Sequence, residues 1–156
     1  MSTLYKTIHA TATRFMDSYN SAFSQRDVSF LSSTLTQDCT RSIAPASFLP
    51  TLGVRNVSFS NTEYEAIIGA EFPAIDAARI EVKRLAVDDI QKSAFIKGDF
   101  HLTLKGQPES CLEFMFLLDM VESGDRVERI IQFVDTAESM KGRAIIHDIL
   151  SNQKES

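Results

Sequence analysis

Two strand-forming segments of equal length, separated by four residues, constrain the fold of this chain more than any other feature. Cys111 to Val121 reads CLEFMFLLDMV and Arg126 to Thr136 reads RVERIIQFVDT, with Glu122-Ser123-Gly124-Asp125 between them. Both segments are rich in Phe, Ile, Val and Leu, and the linker holds the Ser, Gly and Asp that short hairpin loops favour. We therefore predict a hairpin at the centre of a curved antiparallel sheet.

The second segment of this hairpin alternates, and its alternation sets a polar amide among apolar residues. Side chains of a strand point to opposite faces in turn. The pattern assigns Ile130, Gln132 and Val134 to one face and Arg129, Ile131, Phe133 and Asp135 to the other. Because an unpaired buried amide costs about 1–3 kcal/mol, Gln132 either finds a polar partner in the core or looks into a cavity.

Apolar spacing and turn residues place the other elements along the chain. Gly98 indicates a bulge or bend in a long strand, and Pro45 either places its strand at a sheet edge or makes it leave the sheet early. We predict Asn61 as an N-cap without a full capping box, and Asp135 as a candidate cap of the last helix. Apolar spacing predicts one buried face on the first helix and one on the helix at Asn61. The first face holds Leu4, Ile8, Ala12, Phe15, Met16, Tyr19 and Phe23, and the second holds Tyr64, Ile67, Ile68 and Phe72. The predicted elements are a helix from Thr3 to about Ser24, a short helix capped by Asp27, an edge strand Cys39 to Ser47, a covering loop Phe48 to Ser60, a helix from Asn61 to near Pro73, strands Ala78 to Val87 and Lys92 to Lys105, and a closing helix Ala137 to Leu150 with Met140, Ala144, Ile145 and Ile149 as its apolar stripe.

This order of elements predicts an α+β fold with helices on one side of a strongly bent sheet. Its length of 156 residues suits one domain, residues 1–156, that is large enough to bury a core. The concave face of such a sheet cannot be filled by its own side chains, so we expect a conical pocket there.

Composition excludes several classes of function. Sixteen Lys and Arg against 21 Asp and Glu give a net charge of −5, and no segment concentrates the basic residues, which argues against nucleic acid. Cys39 and Cys111 are predicted to be reduced thiols in a cytoplasmic protein, and no segment has the apolar length of a signal peptide core or a membrane span. Neither a metal-ligand motif nor a glycine-rich phosphate loop appears, so we predict no metal and no cofactor.

Four patches of the chain, in order, resemble one group of proteins. They are Cys39 to Phe48, Asn61 to Tyr64, Leu112 to Phe116, and Val127 to Thr136. Together they resemble the fungal SnoaL-like isomerases, which rearrange or cyclise intermediates of meroterpenoid and related natural-product pathways and belong to the nuclear-transport-factor-2-like (NTF2-like) superfamily. The resemblance implies one SnoaL-like domain, a cone-shaped fold around a pocket, and a homodimer joined through the sheet.

The chain departs from the pattern of that group at three positions. The group often has His at or beside the position of Arg41, Tyr at the position of Phe114 and a carboxylate at the position of Gln132. The resemblance therefore indicates the fold and the substrate class better than any one reaction.

We predict four catalytic residues, each with a structural alternative. Arg41 either orients a substrate oxygen or forms a surface ion pair at a strand edge. Glu63 either moves a proton at the pocket mouth, as the resemblance implies, or only stabilises a helix N-terminus. His101 either titrates inside the pocket or is a satisfied strand histidine, and Gln132 is expected to line the cavity as a neutral hydrogen-bonding group.

We expect an apolar substrate to be held by residues of the central hairpin and its surroundings. Glu113 and Asp119 interrupt their strand, so either that face is exposed near its ends or one carboxylate enters the cavity. The predicted substrate contacts are Phe114, Met115, Phe116, Glu113, Ile130 and Ser47. With these residues, the resemblance implies a cofactor-free isomerase or cyclase of a bulky apolar secondary metabolite; the alternative is a non-catalytic module of the same fold that binds a ligand or dimerises.

Overall fold

The computed structural model shows three α-helices packed on a five-stranded sheet, and it describes residues 1–53 and 58–156. This is the predicted α+β arrangement. Short 3-10 helices lie at Val28–Ser32, Ala46–Leu52 and Phe72–Ala74. The α-helices are α1 (Thr3–Gln25), α2 (Asn61–Glu71) and α3 (Thr136–Glu155), and the strands are β1 (Leu35–Ala44), β2 (Ile75–Asp88), β3 (Ser93–Leu104), β4 (Ser110–Met120) and β5 (Val127–Val134).

The predicted hairpin is confirmed as β4 and β5, and β4 is the central strand of the order β1-β5-β4-β3-β2. All neighbouring pairs are antiparallel except β1 and β5, which run parallel; the intervening chain is long enough for the crossover that a parallel pair requires. β1 is an edge strand, as Pro45 suggested, but it runs from Leu35 to Ala44 and ends before the proline, not at Ser47. Of the expected covering loop, Ala46–Leu52 forms a 3-10 helix and residues 54–57 lie outside the described residues.

Helix α1 covers the concave face of the sheet with its apolar side. Ser2 caps it by accepting a hydrogen bond from the Tyr5 backbone N–H at 2.9 Å. Phe15 is fully buried, and its ring centroid lies 5.2 Å from that of Phe116 on β4. The other fully or nearly buried residues of the helix's apolar stripe are Ile8, Ala12, Met16, Tyr19 and Ala22. The core therefore lies between α1 and the inner face of β3, β4 and β5.

The sheet bends where β2 and β3 pair next to Gly98. Val82 pairs with Gly98 and Arg84 with Lys97, so Lys83 is an extra residue in β2. The irregularity predicted at Gly98 is confirmed, but the extra residue lies in β2, opposite Gly98. A Cβ on Gly98 would lie 2.5 Å from Cζ of Phe114, so the absent side chain makes room for that ring.

The N-cap of α2 and the buried face of α3 differ from the sequence predictions. The N-cap of α2 is Ser60, one residue earlier than expected, and Ser60 with Glu63 forms a full capping box, so the prediction that none exists was wrong. Asp135 caps α3, as its position suggested. On α3 the predicted stripe member Met140 is 48% exposed, whereas Ile146 is buried, because the helix is rotated relative to the predicted stripe.

The outer face of the sheet, away from α1, carries apolar side chains that remain accessible. Leu117 pairs with Phe95 on one side and Ile131 on the other, and Met115 pairs with Phe133. Four of these are 36–44% exposed. We call Phe95, Met115, Leu117, Ile131 and Phe133 the outer patch. Among the described residues, no helix combines the length and apolar character that crossing a membrane requires.

Candidate active site

A cavity of about 210 Å3 lies between the concave face of the sheet and helices α1, α2 and α3. Its lining is mainly apolar, as the bent sheet predicted. The polar and charged side chains that line it are Tyr19, Tyr64, Glu71, Glu113, Gln132, Ser139 and Arg143. The principal apolar ones are Phe23, Ile43, Phe48, Ile67, Ile68, Ile80, Phe100, Phe114, Phe116 and Ile146.

Arg41 lies directly behind one part of this lining. It projects from β1, is 3% exposed, and donates through Nη1 to the Tyr19 hydroxyl at 2.7 Å and to Oε1 of Gln132 at 2.8 Å. Its guanidinium carbon lies 3.7 Å from the ring centroid of Tyr64, at cation–π distance. Tyr19, Tyr64 and Gln132 line the cavity, so the positive charge of Arg41 acts on a ligand there through these three side chains. We call these four residues the Arg41 cluster.

Among the described residues, Arg41 has no acidic partner for its positive charge. No carboxylate of the described residues lies within ion-pair distance of it, and residues 54–57 read Val-Arg-Asn-Val, which includes no acid. Within the same described part of the chain, its Nη2 has no hydrogen-bond partner. A buried charge is costly to keep without an opposite charge. The cluster is therefore suited to negative charge that arrives with, or develops on, a ligand in the cavity.

Tyr19 is the hydroxyl that Arg41 polarises. Burial raises the pKa of Tyr19 well above its ordinary value, and this outweighs the charge of Arg41, which lowers it. Tyr19 thus remains a neutral hydroxyl. Because its oxygen already accepts from Arg41, its proton is free for the Tyr64 hydroxyl at 3.2 Å or for a ligand oxygen.

A second polar pair borders the cavity where α2 meets α3. Arg143 Nη1 donates to Oε1 of Glu71 at 3.0 Å, and both residues line the cavity. Burial raises the pKa of Glu71 although Arg143 lowers it. Glu71 follows Tyr64 by seven residues, which is about 10 Å along a helix, so the pair is separate from the Arg41 cluster. A carboxyl group that burial makes easier to protonate, at the edge of an apolar cavity, is a candidate for proton transfer.

The structure brings together part of the predicted catalytic set. Gln132 lines the cavity, as expected, and Arg41 contacts it from behind. Glu63 does not reach the cavity: it is exposed, and its carboxylate accepts from the Ser60 backbone N–H at 2.7 Å. His101 also lies outside the cavity. Its neighbours Phe100 and Leu102 line the cavity, and because side chains alternate along β3, His101 points to the outer face.

The predicted substrate contacts divide in the same way. Phe114 and Phe116 line the cavity, but Met115 between them belongs to the outer patch and is 36% exposed. Glu113 borders the cavity, while its carboxylate is 66% exposed and pairs with Lys97 at 3.0 Å. Two further predictions were wrong. Ile130 is fully buried in the core and is not part of the lining, and Ser47 is exposed beside Phe48, which does line it.

Sequence reasoning missed Tyr19, Tyr64, Glu71 and Arg143 as site residues. Tyr19 and Tyr64 appeared only as members of apolar helix stripes. Glu71 and Arg143 read as ordinary surface charges of two helices distant in sequence. One pattern could have located Glu71: positions seven apart share a helix face, and Tyr64 was already assigned to the buried face of α2.

Cavity, helices and bent sheet together define the NTF2-like fold. No protein-family model matches the sequence, and no curated protein matches it. Solved structures do match. BvnE pinacolase from Penicillium brevicompactum has a TM-score of 0.78 at 16% identity over 93% of this chain and 94% of that one. AusH from Aspergillus nidulans has a TM-score of 0.69 at 20% identity over 84% and 85%.

A third structure carries the name of the fold itself. An NTF2-like protein of unknown function from Burkholderia pseudomallei has a TM-score of 0.67 at 17% identity and covers 90% of this chain and 97% of that one. The predicted NTF2-like fold is therefore confirmed. At these identities the likeness establishes the fold, and the function has to be argued from the side chains of the cavity.

Proposed function

We propose that this protein is an isomerase or cyclase that rearranges a bulky, mostly apolar secondary metabolite without a cofactor. The observation that carries the proposal is the buried, acid-free guanidinium of Arg41 behind a polar edge of an apolar cavity. The likeness to a pinacolase supports the general kind of reaction, since that enzyme shares the fold. We further propose that residues 1–156 form a single cytoplasmic domain.

In the proposed reaction the Arg41 cluster binds a substrate oxygen on which negative charge develops. Tyr19 supplies its hydroxyl proton, and Gln132, whose carbonyl oxygen accepts from Arg41, supplies its amide N–H groups. Such preorganised donors are often the largest single contribution to catalysis, and removal of one typically lowers kcat by about 10²–10³-fold. Arg41 acts through Tyr19 and Gln132 and is a positioning residue.

Glu71 is the proposed group that takes up or returns a proton. It differs from the acids of the outer face because burial raises its pKa and because it borders the cavity. Arg143 holds the carboxylate in place at 3.0 Å. Because Glu71 lies apart from the Arg41 cluster, Glu71 can move a proton at a substrate carbon while the Arg41 cluster stabilises negative charge on a substrate oxygen.

The apolar lining supplies the remaining contribution by holding one conformer of a flexible substrate. Aromatic rings from three elements converge there: Phe23 of α1, Phe100 of β3, and Phe114 and Phe116 of β4. Phe114 and Phe116 pack on each other with centroids 5.2 Å apart, which makes this wall rigid. Trapping a substrate near its reactive shape lowers the barrier by several kcal/mol, on the order of what intramolecular reactions gain.

The outer patch favours a second proposal, that two copies associate through their sheets. An accessible apolar group at the centre of a sheet face is typical of a protein contact surface. In this proposal Leu117→Lys shifts the protein from dimer to monomer in sedimentation velocity, while Lys154→Glu at the end of α3 leaves the dimer unchanged. A wild-type protein that sediments as a monomer at high micromolar concentration would rule the dimer out.

The catalytic proposal can be tested with 2-naphthol, an apolar ligand that carries one ionisable oxygen. Its absorbance and fluorescence report whether the bound form is neutral or anionic. We expect the cavity to lower the pKa of bound 2-naphthol, because Arg41 and Tyr19 stabilise the anion. Arg41→Met should remove this shift, and Arg129→Met, which removes an exposed guanidinium of the outer face, should retain it.

Two results separate the proposed enzyme from the non-catalytic alternative. Binding with a pKa shift that depends on Arg41 supports a site built to stabilise an oxyanion. Binding without any shift indicates a simple apolar ligand site, which is the alternative function. Tyr19→Phe provides a second variant in case Arg41→Met folds poorly, and thermal unfolding of each variant distinguishes loss of fold from loss of the site.

A further inference from the structure

Three side chains with metal-binding atoms meet on the outer face of the sheet, on β3 and β4. Asp99, His101 and Cys111 each place one oxygen, nitrogen or sulfur atom within 4.8 Å of those of the other two. His101 and Cys111 are paired residues of the β3–β4 ladder, and Asp99 lies two residues before His101 on the same face. The arrangement therefore follows from strand register and is held by the backbone of the sheet.

His101 has a carboxylate beside each of its ring nitrogens. Oε2 of Glu81 lies 3.3 Å from Nε2, and Oε2 of Glu109 lies 3.6 Å from Nδ1. Whichever nitrogen bound a metal, the other would face a carboxylate that can accept its N–H. Metal-ligating histidines almost always have such an outer partner, which fixes the tautomer and the orientation of the ring.

Among the described residues, the side chains of Asp99 and Cys111 form no hydrogen bond, and His101 forms polar contacts only with the carboxylates of Glu81 and Glu109. Of the nearby cations, Lys83 pairs with Glu81 at 2.6 Å and Lys97 pairs with Glu113 at 3.0 Å. The Lys83 ammonium is 3.7 Å from Asp99, a loose contact that a divalent ion could replace. Cys111 is exposed at the sheet surface, so an ion can reach the site without a change of fold.

We propose that Asp99, His101 and Cys111 form a binding site for a divalent transition metal of the Zn²⁺ class. A mixed set of thiolate, imidazole and carboxylate ligands suits Zn²⁺ and Co²⁺ better than the hard cations Mg²⁺ and Ca²⁺. Metal–ligand distances of about 2.0–2.3 Å place tetrahedral ligand atoms roughly 3–4 Å apart, so the 4.8 Å spread closes by small side-chain rotations. In this arrangement Glu81 is the outer partner at Nε2, so the ion binds Nδ1 and Glu109 or water completes four-coordination.

This site is independent of the proposed reaction. Phe100 and Leu102 face the cavity, whereas His101 between them faces the opposite side of the sheet. A bound ion would link β3 to β4 and leave the cavity lining unchanged. The role of the metal would accordingly be to stabilise the folded chain, since an ion that binds only the folded state shifts the unfolding equilibrium.

Titration with Co²⁺ tests the site directly, because a cobalt–thiolate bond produces a charge-transfer absorption in the near ultraviolet. We expect the reduced, metal-free full chain to bind one equivalent of Co²⁺ with this absorption, and Zn²⁺ to displace it. Cys111→Ser should abolish the absorption. His101→Ala should weaken binding by at least about 100-fold, and Glu81→Gln by about 10–100-fold, the loss typical of an outer partner.

His147→Ala is the matched control, because His147 is a surface histidine next to Asp148 on α3 and is not near Cys111. It should bind Co²⁺ like the wild type. Absence of the charge-transfer absorption in the wild type would overturn the proposal, and so would its persistence in Cys111→Ser or unweakened binding in His101→Ala. The three ligands lie on the sheet surface, and circular dichroism of the metal-free variants verifies that each is folded.

Discussion

Replacement of Gln132 by Glu would place a carboxylate opposite the buried charge that the site leaves uncompensated. The amide oxygen of Gln132 is 2.8 Å from Nη1 of Arg41, and a Glu side chain is nearly isosteric. Gln132→Glu should therefore make the protein more stable and, at the same time, less able to bind an anionic oxygen in the cavity. Opposite changes in stability and binding are the outcome that distinguishes a functional charge from a structural one.

The expected size of the stability change is a difference of two larger quantities. Opposite unit charges 2.8 Å apart at an effective dielectric constant of about 20 attract by about 6 kcal/mol. Desolvation of the new carboxylate costs several kcal/mol, although Gln132 is only partly buried. The net gain in the free energy of unfolding near neutral pH should be about 1–2 kcal/mol. Since Arg41 lowers the folded-state pKa of the new carboxylate, the gain is present above the unfolded pKa of about 4.3 and is lost as pH falls through the folded one.

Urea unfolding at neutral and acidic pH measures this gain, and 2-naphthol measures the loss of anion binding. A double-mutant cycle supplies the control: in an Arg41→Met background, Gln132→Glu should destabilise the protein, because it buries an unpaired carboxylate. The reasoning would be refuted if Gln132→Glu lowered stability at neutral pH in the presence of Arg41. It would equally fail if the naphtholate bound the variant as well as the wild type.

Three further substitutions test other parts of the structure. Gly98→Ala should destabilise the protein by about 1–3 kcal/mol in urea unfolding, because its Cβ would meet the Phe114 ring at 2.5 Å; an unchanged midpoint would contradict the close packing. Tyr19→Phe should cost about 1.5–3 kcal/mol, since Arg41 loses a buried acceptor, and should also reduce the pKa shift of bound 2-naphthol; loss of stability alone would assign Tyr19 a packing role. Burial raises the pKa of Glu71, so its contribution to stability is fully present below the ordinary value of 4.5 and falls as pH rises through the raised pKa. Glu71→Gln should lack that decline, and a parallel pH dependence of the two proteins' unfolding would show that Glu71 titrates normally.

The fold could be predicted from the sequence because its determinants are local and periodic. Alternation in the second segment of the hairpin assigned Ile130, Gln132 and Val134 to one face; in the structure Gln132 and Val134 line the cavity and Ile130 is buried in the core. Pro45 marked the end of an edge strand, and the spacing of apolar residues gave α1 from Thr3 to within one residue of its end. These features depend on period, turn residues and backbone geometry, which one sequence displays.

The site was harder to predict because it depends on which helix face meets which strand. His101 and Phe100 are adjacent in sequence, and a difference of one residue in a strand decides between the cavity and the outer face. The prediction that Met115 contacts the substrate put it on the wrong face of β4 for the same reason. Glu63 was assigned to the pocket by resemblance, yet Ser60 is the N-cap of α2 and the carboxylate of Glu63 completes the capping box with it. The pairing of Glu71 with Arg143 spans 72 positions, and no local pattern indicates such a contact.

The Arg41 cluster draws its four members from α1, β1, α2 and β5, at sequence positions 19, 41, 64 and 132. Loop closures of that span are completed late, after the meander of neighbouring strands has paired. Ligand-binding competence should therefore appear only in the final step of refolding, and a partly assembled chain, even one with most of its sheet in place, would be inert. Ligand binding by the cavity would then serve as a reporter of complete tertiary assembly.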